Sequence, residues 1–479
     1  MSSAYEVVIG LEVHVELQTK SKIFCACPNL FGQHPNTNVC PVCLGLPGSL
    51  PVFNENVLHL AVKTALALNC QVASYSKFDR KTYFYPDLPK AYQISQYDLP
   101  LARDGRVEVF KDGKQVRSVG IDRLHMEEDA GKLLHDEGKN TSYVDYNRSG
   151  VPLVEIVTAP DLRSPEEARL FLEALKKILL YTEVSDCRME EGSLRCDANV
   201  SLRVRGAEEL GRKVEIKNMN SFKAVQKGLE YEVQRQESIL QAGGTVFQET
   251  RRWAEEQAVT LEMRSKEEEQ DYRYFPEPDL PPLVIDEHML RQAAAAIPEL
   301  PVQRNRRLIE IYGITPYQAE ILTSSKKLAD YFEETLQFHH HPGHVANWIL
   351  GDVLNLQKSA SREMDPLKPA PENLAALVQL VDEGIISGRT AKEVLVETFH
   401  TGQQPRRIVQ GKGLVQIRDE NQVRELAAQV IASNPEAVQD YLAGNKKAIA
   451  FLVGQIMQAT RGQANPQMAA DALKKELDG

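Results

Sequence analysis

No apolar run in the 479 residues is long enough to cross a bilayer. The opening stretch, MSSAYEVVIGLEVHVEL, carries no basic segment followed by an apolar core. Neither a membrane helix nor a secretory signal is therefore expected, and the chain reads as cytoplasmic, with no membrane partner. The pattern G-x-x-x-x-G-K-[ST] is missing, so a P-loop nucleotide site is not supported. G-x-S-x-G is missing too, which leaves a hydrolase of the nucleophile-elbow kind without support. No tandem repeat is evident. Positive charge is in deficit: 56 Lys and Arg stand against 67 Asp and Glu, a formal net charge of −11. That balance argues against non-specific polyanion binding by the whole surface, though a local basic patch remains open.

What is present fits an ordinary globular chain of roughly two to four domains, 42% apolar and 26% charged. Four of the seven cysteines cluster as Cys25-Ala26-Cys27 and Cys40-Pro41-Val42-Cys43, and Cys70, Cys187 and Cys196 are scattered. In a cytoplasmic chain two tight pairs around a loop holding Pro28, Gly32 and Pro35 read as a structural Zn²⁺ knuckle. Four sulfurs leave no open coordination position, which argues against a catalytic zinc. The alternative is four reduced cysteines without metal.

From residue 5 to about 290 the pattern mixes strand and helix. Val7 to Leu17 alternates, with Glu12, His14 and Glu16 on one face and Leu11, Val13, Val15 and Leu17 on the other. Ser193 to Val204 does the same, setting Arg195, Asp197 and Asn199 opposite Leu194, Cys196 and Ala198. A shorter alternation sets Glu215 and Lys217 opposite Val214 and Ile216. Ser164-Pro165-Glu166-Glu167 predicts a helix start, with an N-cap, a first-turn proline and a capping-box glutamate. A second helix is expected to follow Asn220-Ser221 and to stop at Gly243-Gly244. The proline-rich segment from Tyr274 to Pro282 precedes a domain boundary near residue 290. Beyond it the chain reads as helical, with Gly402 to Gly413 as a linker before a small helical module.

Side chains two apart on a strand project the same way. Glu12 and His14 can thus share a metal site, and Glu127 or Glu128, Asp197 and Glu215 come from other alternating segments. If these strands are neighbours, their polar faces merge into a carboxylate-lined concavity suited to Mg²⁺. The alternative is a sheet with one solvated face. His339-His340-His341 invites a metal reading, but Pro342-Gly343 follows, and we read it as a solvated loop end. Gly411-Lys412-Gly413 is too short for a phosphate loop. Lys446, Lys447 and Arg461 form a mildly basic stripe in the last module.

Seven long stretches together resemble one family. They are VIGLEVHVEL from Val8, KFDRKTYFYPDLPKAYQISQYDLP from Lys77, RLHMEEDAGK from Arg123, DYNRSGVPLVEIV from Asp145, RMEEGSLRCDANVSLR from Arg188, DYRYFPEPDLPPL from Asp271 and FLVGQIMQATRGQANP from Phe451. In these the chain is similar to the B subunits of bacterial aspartyl/glutamyl-tRNA amidotransferases. The resemblance implies an α+β chain: a cradle over 1–293 built on an antiparallel sheet, similar to glutamine synthetase, with the zinc knuckle; a helical domain over 294–405; and a helical tail over 406–479 that contacts tRNA. It implies an ATP- and Mg²⁺-dependent carbon–nitrogen ligase. Such an enzyme converts misacylated Glu-tRNA(Gln) or Asp-tRNA(Asn) to the amide through an acyl phosphate. Ammonia would come from an amidase A subunit, in a complex with a small C subunit.

Carried over by motif, Glu12, His14, Glu128, Asp197 and Glu215 would hold Mg²⁺, and Asn199 would complete the cradle. Glu127 and Arg195 would lie on the cofactor side. Lys81, with Tyr83 beside it, would lie near the ammonia path. Two rival readings are a self-sufficient carboxylate–amine ligase of glutamine-synthetase type and a non-catalytic RNA-binding scaffold.

Overall fold

The structure is a computed structural model that describes residues 4–136, 141–265, 271–360, 366–417, 419–460 and 463–477. The chain forms two compact units, Met1–Pro301 and Val302–Gly479. Among the described residues no helix is long and apolar enough to cross a membrane.

The first unit is built on a nine-stranded sheet. In chain order its strands are Tyr5–Glu16 (β1), Gln71–Val72 (β2), Ala102–Lys111 (β3), Lys114–Glu128 (β4), Pro152–Thr158 (β5), Leu194–Val204 (β6), Val214–Lys217 (β7), Glu249–Ala254 (β8) and Val259–Ser265 (β9). Across the sheet they run β9-β8-β7-β6-β1-β5-β4-β3-β2. Neighbours are antiparallel except β7 and β8, which are parallel, so the expected antiparallel sheet is mixed at that one place. The period-two alternation of β1 and β6 buries Ile9, Leu11, Val13 and Val15 with Leu194, Cys196, Ala198 and Val200 on one face.

Helices Pro165–Tyr181 (α2) and Phe222–Gln241 (α3) cover that face, and Glu55–Ala67 (α1) joins the same core. Phe171, Leu172, Leu175 and Leu179 are fully buried, each contributing about 2 kcal/mol by leaving water. Both helix starts expected from the sequence form. Ser164 caps α2 through the Glu167 N–H, with Pro165 in the first turn, and Ser221 caps α3 through the Ala224 N–H. Glu167 departs from the capping box by accepting the N–H of Arg163 instead.

A smaller sheet joins Phe275–Pro276, Asp79–Thr82 and Tyr92–Ser95 in that order. Arg80 donates two bonds to the buried Glu277, at 2.7 and 2.8 Å, and a third to Asp279 at 3.1 Å. A planar guanidinium matched to a carboxylate explains how the proline-rich segment is held as a strand. The unit continues through helix Glu287–Ala295, whose Ala293 is buried in the core.

The second unit is helical and has two apolar cores. One collects Phe332, Val345, Leu374, Leu377, Val378, Val394 and Ile408. The other gathers Val423, Ala427, Leu452, Ile456 and Leu473 from helices Glu420–Ser433, Ala448–Ala459 and Pro466–Leu477. The stretch read as a linker contains a helix, Pro405–Gly411, with Ile408 and Val409 buried in the first core. Proline at its first position starts that helix rather than breaking it.

Candidate active site and metal centres

The polar face of the sheet is organised by strand register. Arg195 of β6 stands opposite His14 of β1, His14 opposite Glu155 of β5, and Glu155 opposite His125 of β4. One row thus carries four ionisable side chains over four adjacent strands. Glu127, two residues beyond His125, adds a fifth. His14 Nε2 is 3.5 Å from Glu127 Oε1 and 3.5 Å from Glu155 Oε2. His125 Nε2 is 3.1 Å from Glu155 Oε2 and 3.9 Å from Glu127 Oε2. One donor atom each from His14, Glu127 and Glu155 lie within 4.8 Å of one another. Two carboxylate oxygens and one imidazole fit a hard divalent cation that keeps its remaining positions for water or phosphate oxygen.

Electrostatics support that fit. Burial opposes charge on His14, yet its hydrogen bond to Glu155 and the charges of Glu155 and Glu127 raise its pKa to about 9. The pair of carboxylates therefore favours positive charge at this place. Glu155 is held well below the ordinary carboxylate range: burial opposes this, but His125 and His14 outweigh it. Among the described residues, two buried nitrogens on this face are left without partners, His125 Nδ1 and Arg195 Nε. Arg195 is tied through Nη2 to Asp129 at 2.9 Å. A buried unpartnered N–H beside carboxylates suits an oxygen-rich ligand such as a phosphate or carboxylate.

Five further acidic or amide residues singled out from the sequence, Glu12, Glu128, Asp197, Asn199 and Glu215, divide between two places. Glu12, Asp197, Asn199 and Glu215 come together on the same face, towards β7. Glu12 lies opposite Asp197, Asn199 donates to Glu12 at 2.9 Å, and Asn199 lies opposite Glu215. Lys217 bridges Asp197 and Glu215, and Thr250 donates to Glu215 at 2.8 Å. Glu128 is not brought to His14. Successive strand residues face opposite ways, and its carboxylate pairs with Lys90 and accepts the Ile94 N–H at 2.9 Å.

Lys81 sits in an aromatic setting, 4.8 Å from the ring centre of Tyr272 and 5.9 Å from that of Tyr83. Burial alone would lower its pKa, but the charges of Glu127, Tyr274 and Glu155 raise it above the ordinary lysine value. Among the described residues it makes no direct ion pair. Burial pushes the Tyr83 hydroxyl up to about 12, so it stays protonated at neutral pH.

The four clustered cysteines meet. One sulfur from each of Cys25, Cys27, Cys40 and Cys43 lies within 4.8 Å of the others, and the Cys40–Cys43 separation is 3.8 Å. A tetrahedron of Zn–S bonds of about 2.3 Å places its sulfurs about 3.8 Å apart, so the set fits zinc. Lys22, fully buried, points Nζ at Cys43 Sγ from 3.8 Å and donates to the Asn38 carbonyl at 2.9 Å. The Cys43 thiol is lowered to about 5 by its hydrogen bond from Cys25, against burial, with help from the Cys40 N–H and Lys22. The other three cysteines are buried in the first unit. Of the basic stripe in the tail, Arg461 lies outside the described residues.

Comparison with known proteins bears on this geometry. Residues 7–291 match the model of the GatB/GatE catalytic domain, and residues 330–477 match the GatB domain. The chain belongs to the GatB/GatE family. It is 58% identical over 476 residues to a protein of Carboxydothermus hydrogenoformans, 56% over 473 residues to one of Thermoanaerobacter pseudethanolicus, and 52% over 476 residues to one of Brevibacillus brevis. In each case 99% of both chains is covered, and each relative is named as the B subunit of an aspartyl/glutamyl-tRNA(Asn/Gln) amidotransferase. The stretch matching the GatB/GatE catalytic domain contains the whole polar sheet face and the cysteine loop.

Two members of the row, His125 and Glu155, escape a reading of the sequence by strand alternation alone. Signals are present all the same. His125 and Glu127 repeat the i, i+2 arrangement of Glu12 and His14, and Glu155 is a lone charge inside the apolar run Val151 to Val157.

Proposed function

We propose that this chain is the carboxylate-activating subunit of a tRNA-dependent amidotransferase. The single observation that carries the reading is the row Arg195–His14–Glu155–His125 with Glu127 beside it, within a chain of the GatB/GatE family. The substrates are ATP and a glutamate or aspartate wrongly esterified to a tRNA.

A side-chain carboxylate resists attack, because its charge repels a nucleophile and oxide is a poor leaving group. In the proposed first step its oxygen attacks the γ-phosphorus of ATP, and ADP leaves. Ammonia then attacks the acyl carbon, phosphate leaves, and one proton is released as the amide forms. His14, Glu127 and Glu155 would hold Mg²⁺, which when bound offsets charge building on the transferred phosphoryl group. Arg195 offers its free Nε to phosphate or carboxylate oxygen. Glu12, Asp197, Asn199 and Glu215, spanned by Lys217, would line the rest of the cradle. Glu128 acts on the position of the site by anchoring the end of β4 to Lys90 and Ile94.

Ammonia must arrive unprotonated. Tyr83 and Tyr272 flank the half-buried Lys81, and a fixed ammonium there would disfavour a second cation. That the relatives are named as B subunits supports a multi-subunit complex, in which we place an amidase A subunit and a small C subunit, working in the cytoplasm. A division of the chain at 293 and 405, with the tail contacting tRNA, completes the reading, and Zn²⁺ on the four cysteines is structural.

The test is amidation of misacylated tRNA by the reconstituted complex with ATP, Mg²⁺ and ammonium chloride, which bypasses glutamine hydrolysis. The parent should amidate, and His14→Ala and Glu127→Gln should assemble and bind tRNA without amidating. Full activity in both variants would overturn the site. Activity of the isolated chain on a free amino acid would instead favour a self-sufficient ligase.

A further inference from the structure

The histidine run read as a solvated loop end is not isolated in the folded chain. His339 ends helix Lys326–Phe338 in extended backbone, and His341 precedes Pro342, the first residue of helix Pro342–Trp348. Alternation over this short extended stretch sends His339 and His341 one way and His340 the other, towards the Tyr312 ring 6.2 Å away. The rings of His339 and His341 stack at 4.7 Å and 10°. Both face Asp382, the last residue of helix Pro371–Asp382. His339 Nε2 is 2.7 Å and His341 Nδ1 3.4 Å from the same oxygen, Oδ2. From the first turn of its helix His344 brings Nδ1 to 2.6 Å from the other oxygen, Oδ1.

We propose that His339, His341 and Asp382 form a binding site for a divalent transition-metal ion of the Zn²⁺ type, oriented by His344. Three donor atoms, one from each residue, lie within 4.8 Å of one another. A tetrahedral ion with bonds of about 2.0 to 2.1 Å needs donors about 3.3 Å apart, which small side-chain rotations supply. Two imidazoles and one carboxylate select Zn²⁺, Co²⁺, Ni²⁺ or Cu²⁺ over Mg²⁺ or Ca²⁺.

Asp382 sits at the negative end of its helix, where a carboxylate is unfavourable and a cation is favoured. His344 bonds the carboxylate oxygen left free by such a metal, the usual place for an outer partner that fixes a ligand's orientation. Three protein ligands leave one position to water or to an added group. The ion would tie the turn between helices Lys326–Phe338 and Pro342–Trp348 to the end of helix Pro371–Asp382.

The experiment uses the untagged full chain, the metal alone as probe, and stoichiometry after dialysis against micromolar free Zn²⁺. The parent should retain one equivalent more than His341→Ala or Asp382→Asn. Cys43→Ser should lose a different equivalent, additively. Loaded with Co²⁺, the cysteine site shows sulfur-to-metal charge-transfer absorption, which the histidine site lacks. His344→Gln should keep the stoichiometry but bind about 10-fold more weakly. Zn²⁺ should raise the parent's melting temperature more than that of His341→Ala, and Mg²⁺ should not. Because the His341 side chain is 55% exposed, its loss should leave the fold intact even if Asp382→Asn does not. Equal zinc content and equal thermal shifts in parent and His341→Ala would overturn the site.

Discussion

The sheet-face group and the cysteine loop hold their donor atoms by opposite means. His14, Glu127 and Glu155 come from three strands far apart in sequence, each fixed by ladder register over a buried core. The four cysteines come from one short segment, Cys25 to Cys43, that has little core beneath it. Leu30, Phe31, Leu46 and Leu50 around it are all exposed. In the first region the fold makes the site, and a metal would add chemistry. In the second the metal would make the fold. Loss of a ligand should therefore remove far more activity than stability in one, and local order before activity in the other.

The largest effect should come from the row itself. Glu155→Gln removes the carboxylate shared by His14 and His125, and amidation with ammonium should fall on the order of 1,000-fold, about 4 kcal/mol in the barrier. The native fold and tRNA binding should hold, because the ladder survives, with a modest fall in melting temperature as His14 and His125 lose their shared partner. A variant that unfolds instead would show that the row is structural. The next test splits two adjacent glutamates. Glu128→Gln strands the buried Lys90 ammonium, and should cost about 3 kcal/mol in denaturant unfolding. Glu127→Gln, which removes a buried carboxylate beside two histidines that can shed their charge, should cost less stability than Glu128→Gln and abolish amidation. The reverse pattern would return Glu128 to the metal.

Legibility follows the same divide. Strands β1, β6 and β7 are readable because their alternation is local, and the starts of α2 and α3 because a cap is a property of four residues. The cysteine set is readable from its spacing. The row is readable only in part: His14 shows in its own strand, but its neighbours depend on which strands pair. Glu155 hides in an apolar run, and His125 lies in a motif whose glutamates draw attention first. Asp382 shows the limit, since nothing near His339 in sequence points to a residue 43 positions away. The helix at Pro405–Gly411 reads as a linker because its glycines and proline weigh locally as breakers, while burial of Ile408 and Val409 decides the outcome.

A smaller effect is expected at the cysteine loop. Lys22→Met removes a buried ammonium beside Cys43, leaving the negative charge of a four-thiolate zinc site less compensated. Chelator competition should show zinc held about 10-fold more weakly. Cys43→Ser should go further, releasing zinc and exposing the 28–50 loop to protease. Amidation should suffer less in either than in Glu155→Gln. Equal loss of activity in all three would erase the distinction between the two regions.

The smallest effect tests whether the sheet face carries a thermodynamic cost of its own. Glu16 lies two residues beyond His14 on the same face, and burial, then the charges of Asp129 and Asp186, raise its pKa to about 7, with Arg195 and Arg148 opposing. The unfolded chain titrates this group near 4.5. Between those values the folded state binds the proton and the unfolded state releases it, so folding is favoured at low pH. That contribution is fully present below about 4.5 and is lost as pH rises through about 7. Glu16→Gln keeps the hydrogen-bonding shape without the charge, so the variant should gain on the parent as pH rises from 5 to 8. For a partly exposed side chain the gain should be on the order of 1 kcal/mol by denaturant unfolding at each pH. A constant difference across that range would mean that water reaches Glu16 freely. The polar face would then be solvated at the β1 end, not a closed cradle.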